Sequence, residues 1–262
     1  MIGLIVGTSE GKNIISLLNE FTDNIFISTA TAYGGDILKE YKYKKLNSIP
    51  LDTLGLKKML LEQGVSVLVD ASHPYAVEIT KNCKRVCEDL QIKCLRYERP
   101  SIIDKYLNCD KFVSVSSYED LEEKLNGIKE LSGRENVILN TTGSRNIDKL
   151  MSSTITNRIV HRVLPSREVI KYCFDLGVKV EDIIAIKGPI TFELNLGFIR
   201  QYNAKGIILK DSGRQGGTEE KIKAALQEKI YIFVLERKKE QFENIFYSEK
   251  QLVDYIRKNN LY

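Results

Sequence analysis

The sequence predicts an α/β protein of two domains, each a mainly parallel sheet with helices on both faces. Short continuous apolar runs alternate with segments whose apolar residues recur at helical spacing, which is typical of parallel sheets covered by helices. The length of 262 residues suits two domains of about 100 to 150 residues each. The chain is 43% hydrophobic and 28% charged, so it can bury a sizeable core.

The first hundred residues contain four of these apolar runs, and helical segments separate them. Strands are predicted at 2–6, 24–28, 65–69 and 93–96. The first helix follows Gly7, and a second is capped by Asp52 or Thr53 and ended by Gly64. Pro74 is tolerated in a first helical turn and therefore predicts the start of a third helix. These alternations form successive strand–helix units.

The remaining residues repeat the pattern with a different sequence. Strands are predicted at 112–115, 137–140, 159–163, 183–186, 206–209 and 230–235. A capping box from Ser116 to Glu119 predicts a helix start, and Thr218 and Ser248 begin two later helices. The turn-forming stretch around Pro100 predicts a boundary, which gives domains at 1–100 and 101–262.

Composition excludes several classes of protein. The net charge of +4 is too small and dispersed for a nucleic-acid partner. The apolar runs are far shorter than the roughly 20 residues that span a bilayer, and the first six residues lack a basic leader, so we expect no membrane span and no secretion signal. The five cysteines are scattered without a CxxC pair. They predict no disulfide framework, no metal site and a cytoplasmic location.

In open parallel sheets, ligands bind beyond the carboxyl ends of the strands, so the loops after the strands are the candidate sites. The loop after the first strand runs from Gly7 to Gly11, where glycine backbone and a helix N-terminus favour a phosphate. The dinucleotide fingerprint GxGxxG is absent, and an ordinary tight turn is the alternative. The predicted cofactor contacts in this loop are Gly7, Thr8, Ser9 and Glu10.

The loop that follows residues 206–209 is the strongest phosphate signal in the chain. Three glycines stand there among hydroxyl and basic residues and are able to form a nest of backbone N–H groups. It is not a Walker A loop, and a flexible surface loop is the alternative. The predicted cofactor contacts here are Lys210, Ser212, Gly213, Gly216, Gly217 and Thr218.

Two further loops carry polar residues at strand ends. The loop that begins with Ser28 and Thr29 has no acidic residue before Asp36, which favours NADPH over NADH because NAD sites usually carry a carboxylate there. The loop 70–76 places His73 and Tyr75 at a strand-to-helix junction, where the helix end keeps an imidazole neutral. Helix capping and packing are the alternative. The predicted cofactor contacts in these loops are Ser28, Thr29, Asp70, Ser72 and His73.

Arginines recur near the predicted strand ends. Guanidinium groups in such places suit a ligand with several carboxylates, because each forms a charge-assisted, bidentate pair. Arginine on a solvated face is the alternative. The predicted substrate contacts are Tyr75, Arg96, Arg99, Thr142, Arg145, His161, Arg162 and Arg167.

Seven short motifs occur in an order that resembles the precorrin-6A reductases of cobalamin biosynthesis. They are Gly7-Thr-Ser-Glu10, Asp70-Ala-Ser-His-Pro-Tyr-Ala76, Arg96-Tyr-Glu-Arg-Pro100, Thr141-Thr-Gly143, Arg162-Val-Leu-Pro165, Gly188-Pro189 and Lys210-Asp-Ser-Gly213. The resemblance extends from the first strand to about residue 226. It implies two Rossmann-like domains with the ligand cleft between them.

The resemblance also implies a reaction. NADPH or NADH would reduce a macrocyclic double bond in precorrin-6A, or in its cobalt complex, to give the 6B form. The substrate would be a polycarboxylate tetrapyrrole, and neighbouring enzymes of the pathway would be protein partners. The chemistry also needs a proton, and no donor stands out. The candidate catalytic residues are Tyr75, His73, His161 and Glu193.

Two other functions remain open at this point. A tetrapyrrole methyltransferase would share the anionic substrate and the α/β fold, but it would need no phosphate nest around Gly213. A non-catalytic dinucleotide-sensing module would keep the nest and would not need the arginines. Affinities for the nicotinamides and for S-adenosylmethionine would separate the three functions.

Overall fold

The computed structural model describes residues 1–7, 10–238 and 240–262 and divides the chain into two compact units. The first unit is Met1–Pro100 with Lys238–Tyr262, and the second is Ser101–Arg237. The sequence predicted a second domain at 101–262, whereas residues 238–262 lie in the first unit. Because the segment contributes a strand and a helix to the first sheet and its core, it belongs to the first unit.

The two units are built from twelve strands and ten α-helices among the described residues. Up to residue 100 they are β1 (Ile2–Val6), α1 (Glu10–Leu18), β2 (Ile25–Ser28), α2 (Ala32–Asp36), β3 (Lys45–Asn47), α3 (Thr53–Glu62), β4 (Val67–Ala71), α4 (Val77–Leu90) and β5 (Lys93–Tyr97). The second unit contains β6 (Phe112–Val115), α5 (Tyr118–Gly127), β7 (Ile138–Asn140), α6 (Ile147–Met151), β8 (Ile159–Val163), α7 (Arg167–Asp175), β9 (Ile183–Ala185), α8 (Phe192–Gln201), β10 (Gly206–Lys210), α9 (Thr218–Gln227) and β11 (Tyr231–Leu235). The chain ends with β12 (Ile245–Phe246) and α10 (Glu249–Lys258).

Each unit carries one parallel six-stranded sheet of the Rossmann type. The strand order is β12-β5-β4-β1-β2-β3 in the first unit and β6-β11-β10-β7-β8-β9 in the second. The order reverses between β1 and β4 in one sheet and between β7 and β10 in the other. Ligands bind at such switch points in open α/β sheets, so these two edges are where functional residues are expected.

The apolar runs of the first unit are continuous because both faces of its sheet are covered. Leu4 packs with α1 and α10 on one face, whereas its neighbour Ile5 packs with α3 and α4 on the other. All five residues of β1 and all five of β4 are buried. Burial on both faces is the physical reason why these strands were predictable from sequence.

The last segment is fixed to the first unit by pairing and by packing. Strand β12 extends the sheet by pairing in parallel with β5, with Ile245 opposite Arg96. Helix α10 buries Leu252, Val253 and Ile256 in the same apolar cluster as β1. In the second sheet, the edge strand β6 pairs with β11. Each sheet therefore has an edge strand from one end of its run in the chain: β12 follows β1 to β5, and β6 precedes β7 to β11.

Some local predictions were wrong by a few residues. The short strands β3 and β12 and helix α2 were not predicted. Helix α4 begins at Val77, so Pro74 lies in the preceding turn. The N-cap of α5 is Ser117, whose hydroxyl accepts from Asp120 N, so the cap is one residue later than predicted. Among the described residues, no helix is both long enough and apolar enough to cross a lipid bilayer.

Candidate functional site

The switch point of the first unit brings together the loops that follow β1 and β4. Gly7 N donates to Ala71 O at 3.4 Å, which places the first turn beside the loop that begins at Asp70. A Cβ added at Gly7 would meet nothing closer than Glu10 Oε2 at 3.9 Å. Among the described residues, the backbone therefore borders an open cradle. Two predicted contacts of this loop, Thr8 and Ser9, lie outside the described residues.

Glu10 opens α1 and is buried against Arg99, which follows β5. Arg99 Nη2 donates to Glu10 Oε2 at 2.7 Å, and Arg99 Nε lies against Glu10 Oε1. Only 2% of Glu10 and 5% of Arg99 is exposed. A carboxylate in the first turn is favoured by the helix dipole. The Glu10–Arg99 pair joins the start of α1 to the segment that follows β5.

Arg96 forms a second buried cluster at the same edge. Its Nη1 lies 2.9 Å from Asp70 Oδ2 and donates to Ser72 Oγ at 3.2 Å, while Nε and Nη2 donate to Glu98 Oε2 at 2.9 and 2.7 Å. Asp70 Oδ1 in turn accepts from Ser72 N at 2.9 Å. The guanidinium thus holds the loop after β4 in place, and Ser72 Oγ continues the network to Thr80 Oγ1 at 3.2 Å.

These contacts change the interpretation of four predicted residues. Arg96 and Arg99 were predicted to bind substrate carboxylates, but each is buried and paired with carboxylates of the protein itself. Glu10 and Asp70 were predicted to contact the cofactor, and they supply those carboxylates. A buried guanidinium that is already neutralised has little to offer a further anion, so the structure places all four in the framework of the edge.

The remaining predicted residues of the first unit carry hydroxyl or imidazole groups in the loops after β2 and β4. Asn47 Nδ2 donates to Ser28 Oγ at 3.0 Å, and Thr29 Oγ1 donates to Thr31 O at 3.1 Å, so hydroxyls follow the end of β2. His73 Nδ1 accepts from Tyr75 N at 3.2 Å, and the two rings lie 5.9 Å apart. Because Nδ1 accepts, a neutral His73 ring carries its proton on Nε2.

At the edge of the second unit, the glycine-rich loop is closed on itself. Gly216 N and Thr218 N donate to Gly213 O, and Gly217 N donates to Arg214 O. Ser212 N donates to Thr218 Oγ1 at 3.0 Å. The sequence predicted a nest of backbone N–H groups turned toward a phosphate. In the structure these N–H groups have acceptors inside the loop, so they do not form an open nest.

Gly217 is required by the fold of this loop. Its φ is +65°, and a Cβ there would lie 2.9 Å from Pro189 Cβ. We expect Gly217→Ala to lower the free energy of unfolding by about 2 to 3 kcal/mol, from backbone strain together with overpacking. Gly64→Ala is the matched control, because Gly64 has φ +59° and nothing within 4 Å; it should cost about 1 kcal/mol. Urea denaturation of both variants measures the difference, and equal losses would show that the Pro189 contact is unimportant.

Three cations from different elements gather at this edge. Lys210 ends β10 and donates from Nζ to Thr142 O at 3.0 Å. Arg162 lies near the end of β8, and its Nη1 donates to Asn195 Oδ1 at 3.0 Å. Lys221, on the first turns of α9, is 5% exposed and donates from Nζ to Gly216 O at 3.3 Å. We call Lys210, Arg162 and Lys221 the cation cluster.

Burial depresses the pKa values of all three groups, and neighbouring positive charges add to the effect on the two lysines. Burial, and then the charges of Arg162 and Lys210, lowers the pKa of Lys221 to about 7. Burial, followed by the charge of Arg145, lowers the pKa of Lys210 to about 8. Burial alone lowers the pKa of Arg162 to about 10. A cluster of this kind is poised to receive an anion, because an anion relieves both costs.

His161 belongs to a buried polar chain and not to the edge itself. Asn140 Oδ1 accepts from Thr142 N at 3.0 Å, which turns Asn140 Nδ2 toward His161 Nδ1, also at 3.0 Å. Thr142 Oγ1 lies 3.0 Å from Tyr118 Oη. His161 is fully buried, and burial lowers its pKa to about 4. The ring is therefore neutral and inaccessible, which differs from its predicted roles in catalysis and substrate binding.

The other predicted residues of the second unit lie at or near the surface. Arg145 and Arg167 are exposed, and Thr142 is half-buried between Asn140 and Lys210. Glu193 is exposed, and hydrogen bonds from its own backbone N–H and from Thr191 lower its pKa, so it is a poor acid near neutral pH. Gly143 follows Thr142 with φ +85° and nothing within 4 Å of an added Cβ, so open space borders the backbone here.

Comparisons with known proteins agree with this architecture and its length. The family model described as precorrin-6x reductase CbiJ/CobK matches residues 1–257. The chain belongs to this family. It is 30% identical to the cobalt-precorrin-6A reductase of Methanothermobacter thermautotrophicus, over 97% of this chain and 83% of that protein. It is also 30% identical to the cobalt-precorrin-6A reductase of Methanocaldococcus jannaschii, over 97% and 96%.

A solved structure shares the fold. CobK precorrin-6A reductase covers 99% of this chain and 97% of its own, with a TM-score of 0.76 and 15% identity. The sequence-based identification of the family and of the two-sheet α/β fold is confirmed. As a precorrin-6x reductase, the protein is an oxidoreductase of cobalamin biosynthesis, so neither the methyltransferase nor the non-catalytic sensing module is its family.

Lys221 is the functional candidate of this precorrin-6x reductase that sequence reasoning missed. In the sequence it stands in a charged run, Glu219 to Lys223, that is typical of a solvated helix face. The available signal was its position: one turn into the helix that follows the glycine-rich loop, on the side that meets the sheet. Asn195, the partner of Arg162, was missed for the same reason, because it lies within a helix.

The cation cluster should make the unliganded reductase more stable as the pH rises. The pKa of Lys221 is about 7 in the folded state and near 10.4 in an unfolded chain, so the unfolded state binds more protons between these values. Stability therefore increases from pH 7 to pH 10. Lys221→Met should flatten this rise, whereas Lys223→Met, on the exposed side of α9, should keep it. Denaturant midpoints across the pH range measure the effect, and an unchanged slope in Lys221→Met would contradict it.

Proposed function

We propose that this chain reduces one double bond of the precorrin-6A macrocycle, or of its cobalt complex, to the 6B form with NADPH as the preferred reductant. The match over almost the whole length to relatives named cobalt-precorrin-6A reductase carries this proposal. The charge distribution of the two sheet edges supports it and assigns a separate ligand to each unit.

The macrocycle is assigned to the edge of the second unit. A precorrin carries many acetate and propionate groups, and the cation cluster offers three charged groups that donate to carbonyl or amide oxygens of the protein. Arg145 adds an exposed guanidinium nearby, since its charge acts on Lys210. Charge-assisted hydrogen bonds to carboxylates are among the strongest in proteins. Arg96 and Arg99 of the first unit are already neutralised and do not compete for this role.

The cofactor is assigned to the edge of the first unit. The cradle at Gly7 fits a phosphate at the start of α1, and Ser28 and Thr29 stand where NAD-binding sheets present a carboxylate to the ribose. Hydroxyls at that position accommodate a 2′-phosphate without charge repulsion, which favours NADPH over NADH. When bound, the reduced nicotinamide supplies the hydride; the protein must bind, orient and exclude water.

The proton of the reaction is assigned to the loop after β4. Of the four predicted catalytic candidates, His161 is buried away from ligands and Glu193 is held ionised, whereas His73 and Tyr75 lie half-buried at the edge of the first unit. The Nε2–H of His73 and the hydroxyl of Tyr75 are both competent donors. Arg96 acts as a positioning residue for them through Asp70 and Ser72.

The test of the proposed function is oxidation of the reduced nicotinamide by the purified protein. NADPH or NADH is mixed with the metal-free macrocycle and, separately, with its cobalt complex, and the reduced cofactor is followed by absorbance while mass spectrometry follows the macrocycle. We expect loss of NADPH only when a macrocycle is present, together with a gain of two hydrogens in the product. Absence of oxidation with both macrocycles and both cofactors would refute the proposal.

Preference for NADPH is tested by the ratio of kcat/KM values for the two cofactors. We expect NADPH to be favoured, and replacement of Ser28 by Asp should reverse the preference because a carboxylate repels the 2′-phosphate and accepts from the ribose hydroxyl of NADH. Ser66→Asp is a control in the same unit, on the chain that leads into β4. A kcat/KM ratio near one in the wild type would contradict the preference.

A further inference from the structure

The buried cations at the two sheet edges differ in their partners. In the first unit, the side chains of Arg96 and Asp70 are 4% and 0% exposed and are paired with each other. In the second unit, Lys221 is buried as deeply, yet its acceptor is the carbonyl of Gly216, a neutral group. A buried ammonium beside other cations is costly unless an anion neutralises it or it gives up its proton.

The acids near Lys221 are engaged with other cations. Glu219 Oε1 lies 2.7 Å from Lys105 Nζ, and Glu220 pairs with Lys223. Asp211, just after β10, is 3.1 Å from Arg237 Nε.

Among the described residues, no acid acts on the charge of Lys221. The charges acting on it are Arg162 of β8 and Lys210 of β10, and both are positive. Strand β11 contributes Ile232 and Val234 to the apolar cluster packed with α9, and α8 contributes Leu196 and Ile199. In the part of the chain that the structure describes, the Lys221 ammonium therefore has the carbonyl of Gly216 as its acceptor and no negative charge that compensates it.

We propose that an oxyanion which enters the cation cluster binds together with a proton that is taken up by Lys221 Nζ. The proposal rests on the proposed function only in the choice of natural ligand, a carboxylate of the macrocycle or a phosphate of the cofactor. No bond other than N–H forms: the amine takes a proton from solvent and becomes an ammonium, and the ammonium pairs with the oxyanion.

The physical basis is the cost of charging Lys221 before and after the anion arrives. With the site empty, the pKa of about 7 leaves most of the amine neutral above pH 8. An anion within about 4 Å favours the charged form and restores the pKa toward its ordinary range. Binding and protonation are then linked, so affinity should fall at least tenfold for each unit of pH above 8, and more steeply where Lys210, whose pKa is about 8, also takes up a proton.

The experiment is calorimetry of the full-length protein at pH 8 in two buffers with different ionisation enthalpies. The macrocycle arm uses uroporphyrin, an octacarboxylate tetrapyrrole, and the cofactor arm uses NADP⁺, with inorganic pyrophosphate as the phosphate probe. The difference in observed enthalpy between buffers gives the protons taken up per ligand. Uptake in the uroporphyrin arm assigns the oxyanion to the macrocycle, and uptake in the other two arms assigns it to the cofactor.

Two variants separate Lys221 from other sources of protons. Lys221→Met should lower the uptake by about 0.9 proton per ligand at pH 8, as expected for a group with a pKa near 7. Lys223→Met should leave it unchanged, since Lys223 lies two residues along α9 with its ammonium half-exposed beside Glu219. If Lys221→Met fails to fold or to bind, the pH dependence of the wild-type dissociation constant decides the question.

The results that overturn the proposal are specific to it. No proton uptake by the wild type in any arm, equal uptake by wild type and Lys221→Met, or a wild-type affinity that does not fall between pH 8 and pH 9.5 would each refute it. None of these readouts depends on turnover. A protein that takes up the proton but does not oxidise NADPH would refute the proposed function and leave the linkage standing.

Discussion

Replacing Arg96 with methionine should lower the free energy of unfolding by about 3 to 5 kcal/mol, because it leaves a buried carboxylate without its cation. Asp70 is fully buried, and Arg96 Nη1 lies 2.9 Å from its Oδ2. The same guanidinium also holds Glu98 and Ser72. Loss of stability should be accompanied by a lower kcat, since the loop that carries His73 and Tyr75 loses its support.

A surface pair and a second substitution serve as controls for this prediction. Lys57→Met removes one partner of the Lys57–Asp89 pair, whose side chains are 37% and 45% exposed, and should cost about 0 to 1 kcal/mol. Adding Asp70→Asn to Arg96→Met should recover part of the loss, because the uncompensated charge is removed. Denaturant unfolding of the four proteins tests both statements. A cost for Arg96→Met that is no larger than for Lys57→Met would contradict the role of the buried pair.

The sheets were largely predictable because their central strands are buried on both faces. Strands such as β1 and β4 are recognisable in the sequence as continuous apolar runs bounded by glycine or polar residues. The edge strands do not. Strand β3 is the three residues Lys45, Leu46 and Asn47, and β12 is only Ile245 and Phe246. Their identity as strands comes from pairing with a neighbour that is distant in sequence, and no local pattern encodes that pairing.

The candidate site was predictable in position but not in the state of its charges. Arg96, Arg99 and Arg162 look alike in the sequence, each near a predicted strand end. They differ only in what folding places beside them: Asp70 lies 26 residues from Arg96, and Glu10 lies 89 residues from Arg99. Arg162 receives Asn195, an amide. Whether a guanidinium is neutralised or available is thus a property of tertiary contacts, and single-sequence patterns carry no information about it.

The glycine-rich loop also shows that a sequence pattern leaves the binding groups undetermined. Three glycines among polar residues are typical of a phosphate nest, and they are equally typical of a tight turn. Here the N–H groups of Gly216, Gly217 and Thr218 are used within the loop, and Gly217 fits against Pro189. The positive charge that suits an anion is supplied by Lys210 and Lys221. Lys221 lies in a charged run of the sequence that predicts an exposed helix face, although its side chain is buried.

Because Arg162 is paired with an amide and not with a carboxylate, its replacement should have a large effect on ligand affinity. Arg162→Met should weaken binding of the macrocycle by about 10- to 150-fold, which corresponds to the 1.5 to 3 kcal/mol of a hydrogen bond to a charged group. Affinity for the nicotinamide cofactor should change little if the cofactor binds the first unit as proposed. Stability should not fall, because the substitution removes a partly buried cation whose hydrogen-bond partner is a neutral amide oxygen.

Calorimetric titration with uroporphyrin and with NADP⁺ measures this selectivity, and Arg167→Met, an exposed position at the start of α7, is the matched control that should leave both affinities unchanged. Arg162→Lys should restore part of the macrocycle affinity, since it keeps the charge but loses the planar donor pair. The charge of Arg162 also depresses the pKa of Lys221. Arg162→Met should therefore reduce the proton uptake that accompanies ligand binding, even where binding itself is weak. Equal losses of affinity for both ligands would instead place Arg162 in the framework, alongside Arg96 and Arg99.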